Sequence, residues 1–241
     1  MSSDALIHRQ HVLPHYWRLQ EALIPACHRC GYGGSLRRHV PEVKDIELIC
    51  LPFYDAADPL KPVRTYSRLS EALQMLLDGH ILQWDEANKK RGDLYKRFVL
   101  PALTVGDGPG IGVDLFLADI ENYGYILMLR TGSADFGHAM VTPRAKGGLR
   151  PAHLRCKDGY VWRQAALPSG VTRAEKLLVP TEERLFAEWD LPYIPAAERC
   201  AEKVQEIRHQ LGLPYVPALR LVSAAQTETT PNESERREAY A

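Results

Sequence analysis

The sequence predicts an α/β fold, of the α+β kind, and three observations carry that prediction. Apolar runs of strand length stand at 45–53, 94–100 and 113–119. Segments of helical periodicity at 5–28 and 67–82 are interleaved with them. A glycine-rich turn, GDGPGIG at 106–112, joins the last two strands in a hairpin-like connection. A mixed sheet flanked by helices accommodates all three.

Each element has its own warrant. Val12, Tyr16, Leu19 and Leu23 recur at helical spacing, and Pro14 suits the first turn of that helix. The run at 45–53 reads as a buried strand ended by Pro52. In 67–82, Leu69, Leu73, Leu76, Leu77 and Ile81 form one apolar face, with Ser67 placed to cap it. Residues 121–141 read as two helices separated by a Thr-Gly-Ser turn, in which Thr131 and Ser133 can cap the second. Short helices are expected from 181 to 189 and from about 196 to 211. The polar tail from 223 to 241 lacks aliphatic anchors and is expected to be disordered. Leu191-Pro-Tyr-Ile-Pro-Ala and Leu213-Pro-Tyr-Val-Pro-Ala are similar, but two copies of six residues make no repeat architecture.

Composition narrows the partners. The 241 residues carry 30 basic and 30 acidic side chains, so a nucleic acid has to be met by a local patch rather than by net charge. That patch is expected at 142–176, where Arg144, Lys146, Arg150, Arg155, Lys157, Arg163, Arg173 and Lys176 face only Asp158 and Glu175. Tyr160 and Trp162 within it pack in a small sheet or stack on bases. No apolar run approaches a membrane span, and no signal-peptide core opens the chain. With five cysteines and no secretory segment, free thiols in a reducing cytoplasm are expected. Cys27-His28-Arg29-Cys30 has the form of half a zinc site but no second pair follows, so these are read as free thiols at a helix end.

The chemistry is concentrated in Gly34–Glu47, GSLRRHVPEVKDIE. Asp45 and Glu47 are two apart on a strand and share a face, while Ile46 and Leu48 point the other way. Such a pair is a solvated strand edge or a metal site. Beside a phosphate-sized Gly-Ser turn, metal ions holding a polyphosphate are the sharper reading.

The blocks GSLRR, DIE, VDLFL and LRTGS, in this order and spacing, resemble the palm of family X DNA polymerases, the DNA polymerase beta-like nucleotidyltransferases. ERLFAEWDLPYIPAAER at 183–199 is similar to the end of bacterial members. The resemblance covers about 15–200. It implies a nucleotidyltransferase palm domain at 1–124, a small thumb-like α+β subdomain at 125–222 contacting nucleotide and template, and a tail at 223–241. It further implies that Asp45, Glu47 and Asp114 bind two Mg²⁺ ions, or Mn²⁺, with Asp114 nearest the attacking hydroxyl. Gly34, Ser35 and Arg38 would hold the triphosphate. Leu129, Arg130 and Gly132 would lie against the incoming sugar.

The expected activity is transfer of a nucleoside monophosphate from a nucleoside triphosphate to a nucleic-acid 3′-hydroxyl, by a minimal, monomeric DNA polymerase acting in repair or in replication of a mobile element. The sequence departs from the family at Glu47, where aspartate is usual, at Leu129-Arg130, where an aromatic pair precedes TGS, and at Gly137-His138, where an asparagine often reads the new base pair. Lyase, helix-hairpin-helix and phosphoesterase domains are not expected. Two alternatives stand beside this reading: a template-independent transferase acting on RNA, tRNA, a protein or a small molecule, and a non-catalytic nucleic-acid-binding module.

Overall fold

The computed structural model describes residues 6–55, 65–101, 110–166 and 172–215. The chain divides into two compact units, Met1–Asp119 and Ile120–Ala241, and both mix helices with strands.

In the first unit, β1 (Ile7–His8) leads into α1 (Arg9–Leu23), and a 3₁₀ turn at Ile24–Ala26 leads into β2 (Cys27–Tyr32). The short helix α2 (Gly34–Arg37), β3 (Glu42–Val43) and β4 (Asp45–Pro52) follow. Then come α3 (Ser67–Asp78), β5 (Gln83–Trp84), β6 (Tyr95–Leu100) and β7 (Ile111–Leu117). Five strands form one sheet in the order β2-β4-β7-β6-β5, while β1 and β3 pair separately. Only β4 and β7 run parallel, so the sheet is mixed.

Strand alternation assigns its two faces. Ile46, Leu48 and Cys50 of β4 and Val113, Leu115 and Leu117 of β7 pack with the apolar faces of α1 and α3. The opposite face receives Asp45, Glu47 and Asp114. The antiparallel pairing of β6 and β7 is as the sequence predicts; most of the glycine-rich turn between them lies outside the described residues.

Three local expectations are corrected. The first helix ends at Leu23, because Pro25 sits in the 3₁₀ turn that follows and the chain then extends, so Cys27 and Cys30 stand on a strand. Pro14 lies inside α1 rather than in its first turn, on an exposed position where water can meet the carbonyl it leaves without an N–H partner. Ser67 is the first residue of α3 and not its cap: the Asp55 carboxylate accepts from Ser67 N at 3.1 Å and from its hydroxyl at 2.6 Å.

The second unit holds α4 (Tyr123–Thr131), α5 (Ala134–Val141), the three-stranded antiparallel sheet β8 (Leu154–Lys157), β9 (Tyr160–Ala166) and β10 (Thr172–Lys176), then α6 (Glu182–Glu188) and α7 (Ala201–Gln210). Its core gathers Met128, Phe136, Met140, Val161, Phe186 and Trp189 among others. Ser133 caps α5, accepting from Phe136 N at 3.2 Å, and Thr181 caps α6. Thr131 is instead the buried last residue of α4. The tail lies outside the described residues.

Candidate active site

The parallel pairing of β4 with β7 builds the carboxylate group. Glu47 stands directly beside Asp114 in register, and Asp45 beside Gly112. Burial raises the pKa of Asp45, the charge of Asp114 adds to that rise, and Arg97, Lys44 and Arg38 oppose it. A carboxylate held against its preference for water, next to other carboxylates, marks a place where a cation is wanted.

The glycine turn is fastened to this group. Gly33 N–H donates to Glu47 O at 2.9 Å. Gly34 has φ +61°, and a Cβ there would stand 3.0 Å from Glu47 Oε1. Glycine is therefore demanded twice, by backbone conformation and by the Glu47 side chain lying on it. Arg37 N and Arg38 N donate to Gly33 O and Gly34 O, both at 3.2 Å, closing the turn that brings Arg38 near the carboxylates. Burial lowers the pKa of Arg38, while the charges of Glu47 and Asp45 act against that.

Residues that sequence reasoning missed surround Asp114. Arg97, its direct partner across the antiparallel β6–β7 pair, donates from Nη1 to both carboxylate oxygens at 2.7 Å. Tyr95 OH donates to Oδ1 at 2.7 Å, its ring stacked 4.9 Å from that of Phe116. Arg97 Nε reaches Asp85 at 3.0 Å, and Asp85 also accepts from Asn88 Nδ2 at 2.6 Å. Burial lowers the Arg97 guanidinium, but the hydrogen bonds and charges of Asp114 and Asp85 outweigh it and hold it well above its ordinary value. Burial likewise raises Tyr95, reinforced by Asp114. The basic pair Lys96-Arg97 inside the apolar run LYKRFVL was the available signal, but only the strand register assigns Arg97 to Asp114.

By chemistry the three carboxylates suit Mg²⁺, a hard cation bound by oxygen, with Mn²⁺ the nearest substitute. Among the described residues, however, no three His, Cys, Asp or Glu side chains converge as a ready metal cluster. Both Asp114 oxygens are engaged by Arg97, so a cation shared by all three carboxylates has to take an oxygen that Arg97 now holds. His11 and His15, four apart on α1, belong to no such cluster either.

Leu129, Arg130 and Gly132 belong to the second unit. Leu129 and Arg130 stand half-buried in the last turn of α4, and Gly132 caps it with its N–H bonded to Met128 O. A Cβ on Gly132 would meet Phe136 at 2.8 Å, so its packing alone requires glycine. Ser133 N–H donates to Arg199 O at 3.1 Å, joining the TGS turn to the end of the LPYIPAAER segment.

The basic stretch is more internal than its composition suggests. Arg144 donates to Trp189 O at 2.6 Å, Arg150 to Val141 O at 2.7 Å, and Arg163 and Lys176 pair with Glu188 and Glu121 at 2.5 Å. Lys146, Arg155, Lys157 and Arg173 remain exposed. Trp162 Nε1 donates to Lys157 O at 3.2 Å, and Lys176 Nζ lies 4.5 Å from the centre of the Tyr160 ring.

Among the described residues no helix is long and apolar enough to cross a membrane. Compared with known proteins, the chain matches no protein-family model and no curated sequence.

Proposed function

We propose that this chain is a metal-dependent nucleotidyltransferase, adding nucleoside monophosphates from nucleoside triphosphates to a nucleic-acid 3′-hydroxyl, and that it is a minimal family X-like DNA polymerase. The observation carrying this reading is the parallel β4–β7 register, which sets Glu47 beside Asp114 and Asp45 beside Gly112, next to the Gly33–Arg38 turn. Asp45, Glu47 and Asp114 are the residues that would hold Mg²⁺, Asp114 through an oxygen that Arg97 now engages. The bound cation supplies neutralisation of the triphosphate charge and activation of the attacking hydroxyl.

The chain's own groups do the rest. Ser35 and the backbone around Gly34 bind the terminal phosphates, and Arg38 balances their charge. Arg97 and Tyr95 fix the direction of the Asp114 carboxylate. In the second unit the exposed Lys146, Arg155, Lys157 and Arg173 are assigned to nucleic-acid phosphates.

Primer extension with single deoxynucleotides, on templated and single-stranded primers, tests the reading. Addition of only the template-matched nucleotide is expected; indifference to template leaves a transferase with another acceptor. Asp45→Asn and Glu47→Gln are expected to abolish transfer while circular dichroism stays unchanged. Full transfer by Asp45→Asn would end the metal reading. A second reading, a non-catalytic nucleic-acid-binding module, draws on the Arg97 bridge, since an arginine holding Asp114 is also how a disused metal site is neutralised. That module binds DNA and transfers nothing with either cation.

A further inference from the structure

On the helix-covered face of the first sheet, opposite the carboxylates, three sulfurs meet. β2 is bulged between Cys27 and Arg29, and the extra residue brings Cys27 and Cys30, three apart, to the same side. Cys50 Sγ on β4 donates to Cys30 Sγ at 3.5 Å, and Cys27 and Cys50 share a second hydrogen bond. All three are free thiols.

Cys30 and Cys50 are direct antiparallel partners. Gly33 and Glu47, three places along the same ladder, are hydrogen-bonded through Gly33 N–H. Alternation therefore makes Cys30–Cys50 a non-hydrogen-bonded pair, the kind whose Cα atoms approach to about 4.5 Å, inside the span a disulfide bridges. The Cys30 carbonyl accordingly turns away from β4 and accepts from Gln20 Nε2 of α1 at 2.6 Å.

We propose that Cys30 and Cys50 are an oxidisable dithiol, a modification site that closes to an intramolecular disulfide under a hydroperoxide and pins β2 to β4 behind the carboxylate face. Cys30 is half-buried whereas Cys50 has no exposure, so the oxidant reaches Cys30 first. Hydrogen peroxide oxidises the Cys30 thiol to a sulfenic acid, and one water leaves. The Cys50 sulfur then attacks the Cys30 sulfur; the hydroxyl departs with the Cys50 proton as a second water, and the S–S bond remains. Its hydrogen bonds with Cys27 and Cys30, together with burial, raise the Cys50 thiol and keep it protonated, which leaves the first contact with the oxidant to Cys30.

The test treats the full chain with hydrogen peroxide and maps tryptic peptides without reduction. Cleavage after Arg29 puts Cys27 and Cys30 in separate peptides. The expected product is monomeric, links the Cys30 peptide to the Cys50 peptide, and reverts with dithiothreitol. Cys30→Ser is expected to abolish that link, and Cys27→Ser to keep it. Both variants are checked for native circular dichroism. A wild-type chain that links Cys27 to Cys50, links only between molecules, or keeps Cys30 reduced after Cys156 and Cys200 have reacted overturns the proposal. No outcome depends on nucleotidyl transfer, so this inference and the proposed function stand or fall separately.

Discussion

Arg97 grips both oxygens of Asp114 across two strands that pair in direct register, with both side chains largely withdrawn from water at 14% and 11% exposure. Gly112, two residues before Asp114 on the same strand, leaves the space the guanidinium fills: a Cβ there would stand 2.4 Å from Arg97 Nη2. Asp85 holds the other side of the guanidinium through Nε. The candidate third metal ligand thus arrives with a resident cation, anchored from two directions.

Gly112→Ala keeps every charge and pushes only on Arg97. Because the end of a flexible side chain can yield, a loss of about 1–3 kcal/mol is expected, the range for overpacking a close-packed site. Arg97→Gln removes the cation from two buried carboxylates and is expected to lose more, about 3–5 kcal/mol. Urea denaturation followed by circular dichroism measures both. Equal losses in the two variants, or no loss in Gly112→Ala, contradict the close approach.

Asp45 gives a pH dependence of unusual sign. Its folded pKa is raised above 3.8, chiefly by burial and then by the charge of Asp114. The folded state therefore binds this proton more tightly than the unfolded chain does, and the associated stability is full below 3.8 and lost as pH rises through the folded value. Asp45→Asn carries no such proton. Relative to wild type it is expected to gain stability as pH rises from about 4 towards neutrality. Melting temperatures of the two proteins across that window check this. Curves that run parallel count against a raised pKa at Asp45.

What the sequence disclosed and what it hid divide along one physical line. Strand alternation in DIELICLP is a property of the local chain, so it placed Asp45 and Glu47 on one face and Ile46 and Leu48 in the core. The hairpin-like relation of β6 to β7 was likewise readable from two apolar runs and the turn between them. Register was not. Arg97 and Asp114 are 17 residues apart across a turn whose length fixes which residues oppose each other, and no local pattern gives that offset. The thiol cluster was hidden for a related reason: helical periodicity was extended through Cys27, whereas Pro25 ends the helix and a bulge then reverses which side Cys27 faces. Charge in 142–176 misled because composition counts arginines without saying that Arg144 and Arg150 spend their donors on carbonyls of their own unit.

Gly34 offers a test of the phosphate turn that requires no substrate. Its φ of +61° costs a non-glycine residue roughly 1–2 kcal/mol, and the added Cβ presses on Glu47 Oε1 at 3.0 Å. Gly34→Ala is expected to destabilise by about that amount or slightly more, since the Glu47 carboxylate also has to shift. Combined with Glu47→Ala, which opens the space, the loss attributable to Gly34→Ala should fall towards the backbone cost alone. A double-mutant cycle with no coupling between the two positions shows that Glu47 does not rest on the turn.

In the second unit the decisive group is Arg199, which has no solvent exposure and pairs at 2.5 Å with Glu182, itself 3% exposed. Arg199 also donates from Nε to Ile194 O at 3.0 Å, lies 5.2 Å from the centre of the Phe186 ring, and accepts on its carbonyl from Ser133 N. One side chain and its backbone therefore connect the TGS turn, α6 and the LPYIPAAER segment. Removing either charge strands the other in the core. Arg199→Met and Glu182→Gln are each expected to cost about 3–5 kcal/mol, whereas Arg199→Met combined with Glu182→Leu should recover much of that loss. Ser133→Ala, which deletes only the side-chain cap of α5 and keeps the Ser133 N–H bond to Arg199, should cost about 1 kcal/mol. Chemical denaturation of these variants ranks the contributions. If Arg199→Met falls no further than Ser133→Ala, the ion pair does not organise this unit, and the tie between the turn and the C-terminal segment rests on backbone hydrogen bonds alone.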